Sequence, residues 1–470
     1  MNFIGIDFGT HNCTVCLINT DSKVYDIYSD KDTQVLEYNI PSIIHIGDEI
    51  FIGEDAAKLN LNNISYFKRL LCIKENEKHM FNFDFYNQNE TIYIKTDKGD
   101  LSITQIIGLF FSKLKEKIDK KIKANSIYSC IITVPAYFNE NQRKIIWDAI
   151  QLSTLPCTKL LNEPTSACIA YFEKYNDHNN KNILVFDFGA GTLDLSIVRM
   201  EDEICEVLGI FGNNNLGGLD INYTLMKELN ITFDQAEKEK KKTTKKYNKI
   251  YNKHFKKDII NAIDKVIQIS GSVEIDNVIL VGGSSKLLWV QELIKNHLNK
   301  DIIDIKNSDY DYKDIAVSLG AAIHQNKNTN KSIILIDRLA LSIGVKTVDN
   351  TFTPIIPRNS IIPISATKVF TSNDKQIVID LYQGESSLIN DNIHIKSFEL
   401  KNINSENPVI YITIKVNING IVEVIAKERF NDTETKIEIN NLKDIIPDKE
   451  IQNILNNIDY YHVQKISIKK

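Results

Sequence analysis

The chain has 470 residues, 43% of them hydrophobic and 25% charged, a globular composition long enough for two or three domains. A net charge of −5 gives no electrostatic reason to expect a nucleic acid or a membrane surface as partner, and no apolar run reaches the ~20 residues of a membrane helix. Seven cysteines scattered through the first half fit free thiols in a reducing, cytoplasmic setting, and a strand pattern that starts at Phe3 leaves no expectation of a signal or transit peptide.

The first element is an apolar run, Phe3-Ile-Gly-Ile, that ends in Asp7-Phe8-Gly9-Thr10. Beyond it, Cys13 and Cys16 form a C-x-x-C beside His11, but strand geometry turns these positions to opposite faces and no second pair follows at zinc spacing. They read as ordinary strand residues. Further strands run to about Ile46, and Tyr66 to Leu71 is a short apolar segment carrying Lys68 and Arg69. Such cations are usually solvated, yet a Lys can also reach into a cleft and neutralise a phosphate. Apolar residues at 103, 106, 107, 110, 111, 114 and 118 predict a helix over Leu101 to Lys123 with a 3.6-residue period. Ile127 to Val134 predicts a buried strand stopped by Pro135, with Asn139 capping a helix from Glu140. Another helix opens at Asn162-Glu163-Pro164-Thr165. Glu163 is read either as an acid favouring the helix dipole or as a carboxylate that polarises a water in a cleft.

Asn182 to Asp194 repeats the opening theme: a buried strand, Asp187-Phe188-Gly189, then Ala190-Gly191-Thr192 and a second strand. Two copies so far apart predict two related half-domains facing each other across a cleft. Gly lets backbone N–H groups approach a phosphate and Thr adds a hydroxyl. Asp7 and Asp187, at the strand ends, would hold Mg²⁺ through its waters. Asn213 to Gly218 and the strand Asp276 to Val281, followed by Gly282-Gly283-Ser284-Ser285, supply further strand–loop–helix contexts for an anion. The Lys-rich stretch after Glu237 carries interleaved Glu and an apolar stripe at Ile250, His254, Ile259 and Ile263, so it reads as a solvated helix and not a nucleic-acid site. A polar break at 326–331 precedes Ile333 to Asp337, a short apolar tether with no helical or strand pattern long enough to be a domain element. From Leu339 the pattern alternates with period 2, with turns at Asn419-Gly420 and near Asn431-Asp432, predicting a small β domain. A short helix near Asp448 to Asn457 is expected last.

The motifs Gly5-Ile-Asp-Phe-Gly-Thr10, Thr133-Val-Pro-Ala-Tyr-Phe-Asn139, Asn162-Glu-Pro-Thr165, Asp187-Phe-Gly-Ala-Gly-Thr192, Leu216-Gly-Gly218, Ile279-Leu-Val-Gly-Gly-Ser284 and Gln383-Gly-Glu385 occur in that order. Through them the chain resembles the seventy-kilodalton heat-shock chaperones (DnaK-type) over essentially its whole length. The resemblance implies an α/β fold: an actin-like duplicated ATPase domain, two lobes around a nucleotide cleft, over 1–328. It further implies a linker over 329–338, a β-sandwich peptide-binding domain over 339–446, and a short C-terminal helix over 447–470 where a helical lid is expected to be absent. Asp7 and Thr10 would contact Mg²⁺ and phosphate with Asp187 and Asp194 opposite, Lys68 would hold the transferred phosphate, Glu163 would position the attacking water, and Thr192 would lie beside the γ-phosphate. Gly9, His11, Gly189, Gly191, Gly217, Gly218 and Gly282 complete the phosphate-binding set. Glu237, Lys240, Lys241, Thr244, Gly283, Ser284, Lys286 and Asp314 match the adenosine site. Pro135, Arg143 and Asp337 match the relay to the linker, and Phe352, Phe370, Asn373, Ile377 and Ile379 the arch and pocket for an extended peptide. The implied ligands are ATP or ADP with Mg²⁺ and K⁺. The implied partners are an apolar client segment, a J-domain co-chaperone and an iron–sulfur scaffold.

Several positions depart from the family pattern. His11 replaces a second Thr, and Ala190 replaces a Gly, which is harmless only at negative φ. Lys241 and Lys286 replace Arg residues that stack on adenine, and Lys lacks the planar face. Lys159 replaces an Arg on the J-domain surface, and the lobe at 230–276 is short, a feature that together with the Ile-Leu-Ile-Asp linker resembles the HscA-type branch. The expected function is an ATP-hydrolysing chaperone; the alternative is a nucleotide-stabilised adaptor with little turnover. A small-molecule kinase on the same clamp is disfavoured, because the β domain has no place in it.

Overall fold

Phe3, Ile4, Ile6 and Phe8 are all buried along the strand Asn2–Phe8. A run that is apolar on both faces belongs inside a covered sheet. The computed structural model, which describes residues 2–19, 33–59, 62–73, 75–88, 90–122, 128–175, 180–201, 204–242, 245–303, 311–326, 334–372, 377–400, 408–429 and 434–438, places it there. Tyr128–Val134 runs parallel on one side and Asn12–Asn19 antiparallel on the other, with Cys157–Asn162 and Thr33–Pro41 completing five strands. The second copy repeats the arrangement. Lys181–Phe188 lies between parallel Asn277–Val281 and antiparallel Leu193–Glu201, flanked in turn by Ile302–Ile303 and Ile204–Asn213. The duplication read from the two Asp-Phe-Gly motifs is therefore present strand for strand, with Asp7 opposite Thr14 and Asp187 opposite Asp194.

The helix expected over Leu101 to Lys123 spans Ile103–Lys121, and all seven of its predicted apolar positions are buried. Ser102 and Gln105 cap it reciprocally, as Asn139 and Gln142 cap Glu140–Ser153. Tyr312–Gln325 packs between the first sheet and the helix Glu163–Tyr175, an approach that two glycines permit. A Cβ on Gly5 would stand 1.8 Å from the Ser318 carbonyl oxygen, and one on Gly320 would stand 1.7 Å from that of Ser166. Backbone would have to move, and Glu163 sits at the start of the displaced helix. Gly320→Ala is expected to cost about 3 kcal/mol or more, read as a lowered denaturation midpoint; an unchanged midpoint would mean that the two helices do not touch.

Ile333 to Asp337 was expected to be a short tether without a pattern long enough for a domain element; its described part lies in the strand Ile334–Arg338, which pairs in parallel with Ile204–Asn213, then with Ile361–Ile362, making the second sheet seven-stranded. The edge of Ile204–Asn213 presents unpaired backbone groups that an extended neighbour satisfies. Five residues are too few to show a period, so the sequence pattern could not reveal it.

After it come two four-stranded sheets, one holding Ile343–Thr347 and Ile377–Gln383, the other Val409–Val416 and Val422–Glu428. Inward residues of both, Ile343, Val345 and Leu381 against Ile412, Ile414 and Val424, share one core, which makes a β-sandwich. The expected polar break at 326–331 is described only at Asn326. The turn near Asn431-Asp432, the helix near Asp448 to Asn457, Thr244 and Asn373 lie outside the described residues.

Candidate functional site

Each half of the repeat ends a strand on an acid and turns back through small residues. The turns meet: a Cβ on Gly191 would lie 2.6 Å from Thr10 Oγ1, so only glycine lets the two loops touch. Gly282 has φ +80° and would press a Cβ to 2.6 Å from the Phe188 carbonyl oxygen. Ala190 takes no positive φ, so the departure there is harmless. Behind these loops, Ser284 Oγ and the Gly218 N–H both donate to the Gly189 carbonyl, at 2.8 and 3.0 Å.

Between the lobes lies a cleft of about 490 Å³. Asp7, Gly9, Thr10, His11, Lys68, Glu163, Asp187, Gly189, Gly191 and Thr192 line it, as do Gly218, Glu237, Lys240, Lys241, Gly282, Gly283, Ser284, Lys286 and Asp314. Two expected wall residues are corrected. Asp194 is fully buried beneath the loop, where it accepts the Tyr137 N–H at 2.9 Å. Gly217 is turned against the Ala190 carbonyl, 2.3 Å from where its Cβ would be. Both support the wall from behind.

Lys68 is buried, with Nζ 2.9 Å from Glu163 Oε1 and donating also to the Phe8 carbonyl. Burial opposes its charge, but the Glu163 carboxylate more than offsets this and raises its pKa. Burial and then Glu163 push Asp7 up to about 8 and Asp194 up to about 7, and raise Asp187 as well. Asp194 Oδ2 has no partner among the described residues. Buried acids held in each other's field are completed by cations. No three His, Cys, Asp or Glu side chains among the described residues converge enough to hold a bare metal ion. Asp7 and Asp187, carboxylates that both line the cleft, are donors of the kind that can hold Mg²⁺ through its waters.

Farther along, Glu237 accepts Lys240 at 2.6 Å and Lys241 at 2.9 Å. Burial works against its charge, yet Lys240 above all holds the carboxyl down at about 2. Lys286 reaches Asp311 at 2.8 Å and Asp314 at 2.7 Å. Both lysines at the expected adenine positions are thus bound to acids. At the mouth, His11 stacks on Tyr66 with ring centroids 5.5 Å apart.

The residues expected to form a relay are joined by hydrogen bonds that run to the strand Ile334–Arg338. Arg143 donates to the Ala136 and Phe138 carbonyls, next to Pro135, and to Asn162 Oδ1 at 2.6 Å; Asn162 Nδ2 donates to Asp337 Oδ2 at 2.9 Å. Arg338 then ties the strand to Val207, Glu206 and Asn359. The sandwich also touches the first lobe directly. The Glu140 N–H donates to Gln383 Oε1 and Glu140 Oε1 accepts the Val422 N–H, each at 2.9 Å.

Burial at this contact raises Glu140 from 4.5 to about 7, with the Val422 N–H opposing. An acid raised in the docked state favours docking at low pH, and that advantage is lost as pH rises through about 7. Docking is therefore expected to weaken from pH 6 to pH 8, seen as faster proteolysis at the linker. Glu140→Gln should flatten the profile; an unchanged slope in that variant would remove Glu140 from the equilibrium.

The expected peptide residues spread over the sandwich. Phe352 is half-buried opposite Lys346, and Phe370 and Ile377 are half-buried against the core. Ile379 stands inside that core, so here it packs the interior and does not form an open pocket wall. Sequence reading passed over Arg69, whose guanidinium crosses to the other lobe, and Glu140 at the docking contact. The signal for Arg69 was a second cation in an otherwise apolar segment.

A family model described as "Hsp70 protein" matches residues 3–259 and 231–469. The chain is 32% identical to "Chaperone protein DnaK" of Ureaplasma parvum serovar 3, over 95% of this chain and 79% of that one. It is 31% identical to "Chaperone protein HscA" of Buchnera aphidicola subsp. Acyrthosiphon pisum, over 93% and 79%. It is 28% identical to "Heat shock protein 70 homolog" of Acanthamoeba polyphaga mimivirus, over 93% of this chain but only 54% of that protein, about half its length.

Proposed function

The chain belongs to the Hsp70 protein family, and from that premise we propose that it is an ATP-dependent chaperone whose nucleotide cleft controls the grip of the β-sandwich on extended apolar client segments. The observation that carries the reading is the continuous path from cleft to sandwich. Asp337, on a strand hydrogen-bonded into the second sheet, is bound to Asn162, which precedes Glu163 in the cleft. A change in lobe closure would therefore reach the linker without crossing solvent.

In this reading the Thr10 and Thr192 hydroxyls and the glycine loops hold the phosphates, Lys68 draws charge from the transferred phosphate, and Glu163 orients the attacking water. Mg²⁺, held through water by Asp7 and Asp187, would screen phosphate charge. Hydrolysis is then mainly positioning and charge neutralisation. Extended peptide would bind the sandwich by backbone hydrogen bonds and alternate side chains. A J-domain partner would meet the surface beside half-buried Asp337, where Lys159 Nζ lies 3.2 Å from His324 Nε2 and Asn162 supports Asp337 from within. Among the described residues the cysteines stand as thiols and not disulfides, which supports a reducing, cytoplasmic setting; no helix there is long and apolar enough to cross a membrane. Similarity to the DnaK and HscA proteins is nearly equal, so iron–sulfur protein maturation is a narrower client reading, supported by the short lobe.

The test is single-turnover ATP hydrolysis by the whole chain, with and without an extended apolar peptide. Stimulation by peptide is the expected result. Hydrolysis indifferent to peptide would overturn the coupling. ATP bound without hydrolysis would favour the second reading, a nucleotide-stabilised adaptor, which the occupied Lys241 and Lys286 ammonium groups favour.

A further inference from the structure

Arg69 is among the largest fully buried side chains of the protein. It follows Lys68 in the one-turn segment Phe67–Cys72 of the first lobe, yet all its cross-lobe partners belong to the second. Its guanidinium donates to the Gly191 carbonyl, to the Asn214 carbonyl at 2.8 Å, and to Asp220 Oδ1 at 3.0 Å. Glu77, on its own lobe, adds a carboxylate oxygen at 3.6 Å. These acceptors are not scattered. Gly191 belongs to the second phosphate loop, Asn214 to the Asn213–Gly218 loop, and Asp220 Oδ2 accepts the Gly217 N–H at 2.7 Å.

We propose that Arg69 is a positioning residue of the nucleotide cleft: one planar fork fastens the segment carrying Lys68 to both small-residue loops opposite, so that lobe closure and placement of the Lys68 ammonium occur together, and it governs how long a nucleoside di- or triphosphate stays bound. The inference rests on the nucleotide reading of the cleft. Guanidinium chemistry suits the site because the acceptors divide between two nitrogens, Nη1 serving both carbonyls and Nη2 serving Asp220, a spread that the single nitrogen of a Lys does not reproduce. Tyr223 OH donating to the Met80 carbonyl at 2.5 Å and Tyr66 against Phe233 at 6.1 Å cross the same gap, so the lobes remain associated when Arg69 is changed. What is lost is the registration of the loops.

The experiment measures release of a fluorescent N-methylanthraniloyl-ADP with Mg²⁺ from the full chain, beside single-turnover hydrolysis at saturating ATP. Arg69→Lys is expected to speed release roughly tenfold or more, the worth of one charged hydrogen bond, while changing hydrolysis of bound ATP less. Asp220→Asn should also speed release, and the double variant should add little to Arg69→Lys, because the two act through one contact. A purely structural Arg69 would lower the amount of nucleotide-binding protein and the melting temperature while the bound fraction released at the wild-type rate; that result overturns the proposal. Should Arg69→Lys not fold, wild-type release in Asp220→Asn would overturn it equally. Wild-type protein that binds no nucleotide would instead overturn the reading of the cleft on which the proposal stands.

Discussion

Lys68→Met is expected to slow single-turnover ATP hydrolysis by roughly 10²–10³-fold, the usual effect of removing one preorganised charge from a transition state. The Lys68 ammonium is buried, fixed at 2.9 Å from Glu163 and 5.4 Å from the centre of the Phe8 ring. It needs no reorganisation to meet charge that develops on a transferred phosphate. Met keeps an unbranched chain, one atom shorter, and removes the ammonium with its charge and its hydrogen bonds. It also leaves Glu163 facing Asp7, Asp187 and Asp194 without its partner, and breaking such a buried pair costs about 3–5 kcal/mol. Loss of fold and loss of chemistry must therefore be separated. Lys68→Met with Glu163→Gln removes the orphaned charge, so its melting temperature should recover while hydrolysis stays slow. Phosphate release within a few-fold of wild type in folded Lys68→Met would put the transferred phosphate somewhere else in the cleft.

The cleft was legible because its chemistry is local. Asp7, Thr10, Asp187 and Thr192 stand out through a short motif repeated at two strand ends; one copy alone would read as a plain strand-ending turn, the common use of glycine there, and it is the repetition that points to a cleft. Its supports were much less visible. Nothing in the spacing of Asp194 distinguishes an acid that holds the Tyr137 N–H from one that faces the cleft, because that depends on how two distant segments cross. Arg69 was hidden for the same reason, its partners lying 122, 145 and 151 residues away. The strand Ile334–Arg338 went unread because its order comes from the edge it completes, not from its own five residues. In the sandwich the alternation was clear, but period 2 marks only which face is buried. It could not say that Ile379 would go to the core.

Asp337→Asn is expected to abolish peptide stimulation of hydrolysis while leaving nucleotide binding intact. The route it interrupts is continuous: Asp194 holds the Tyr137 N–H, Arg143 grips the carbonyls on either side of Tyr137, and Asn162 bridges Arg143 to Asp337. Partial burial of Asp337 raises its pKa, while the Arg338 N–H and the Arg143 charge oppose that rise. The substitution keeps shape and removes charge. Arg143, itself half-buried, then loses a partner that favours its charged form, and the new amide brings a donor toward Asn162 Nδ2. A hydrogen bond to a charged group is worth about 1.5–3 kcal/mol, enough to shift a docking equilibrium roughly ten- to a hundredfold. Undocking would free the strand Ile334–Arg338, so a protease should cut the variant at the linker even with ATP bound, where wild type resists. Phosphate release with and without peptide gives the functional readout. If stimulation survives in a variant whose linker is cut freely, docking of this strand is not what transmits the signal, and the direct contacts of Glu140 with Gln383 and Val422 would have to carry it instead.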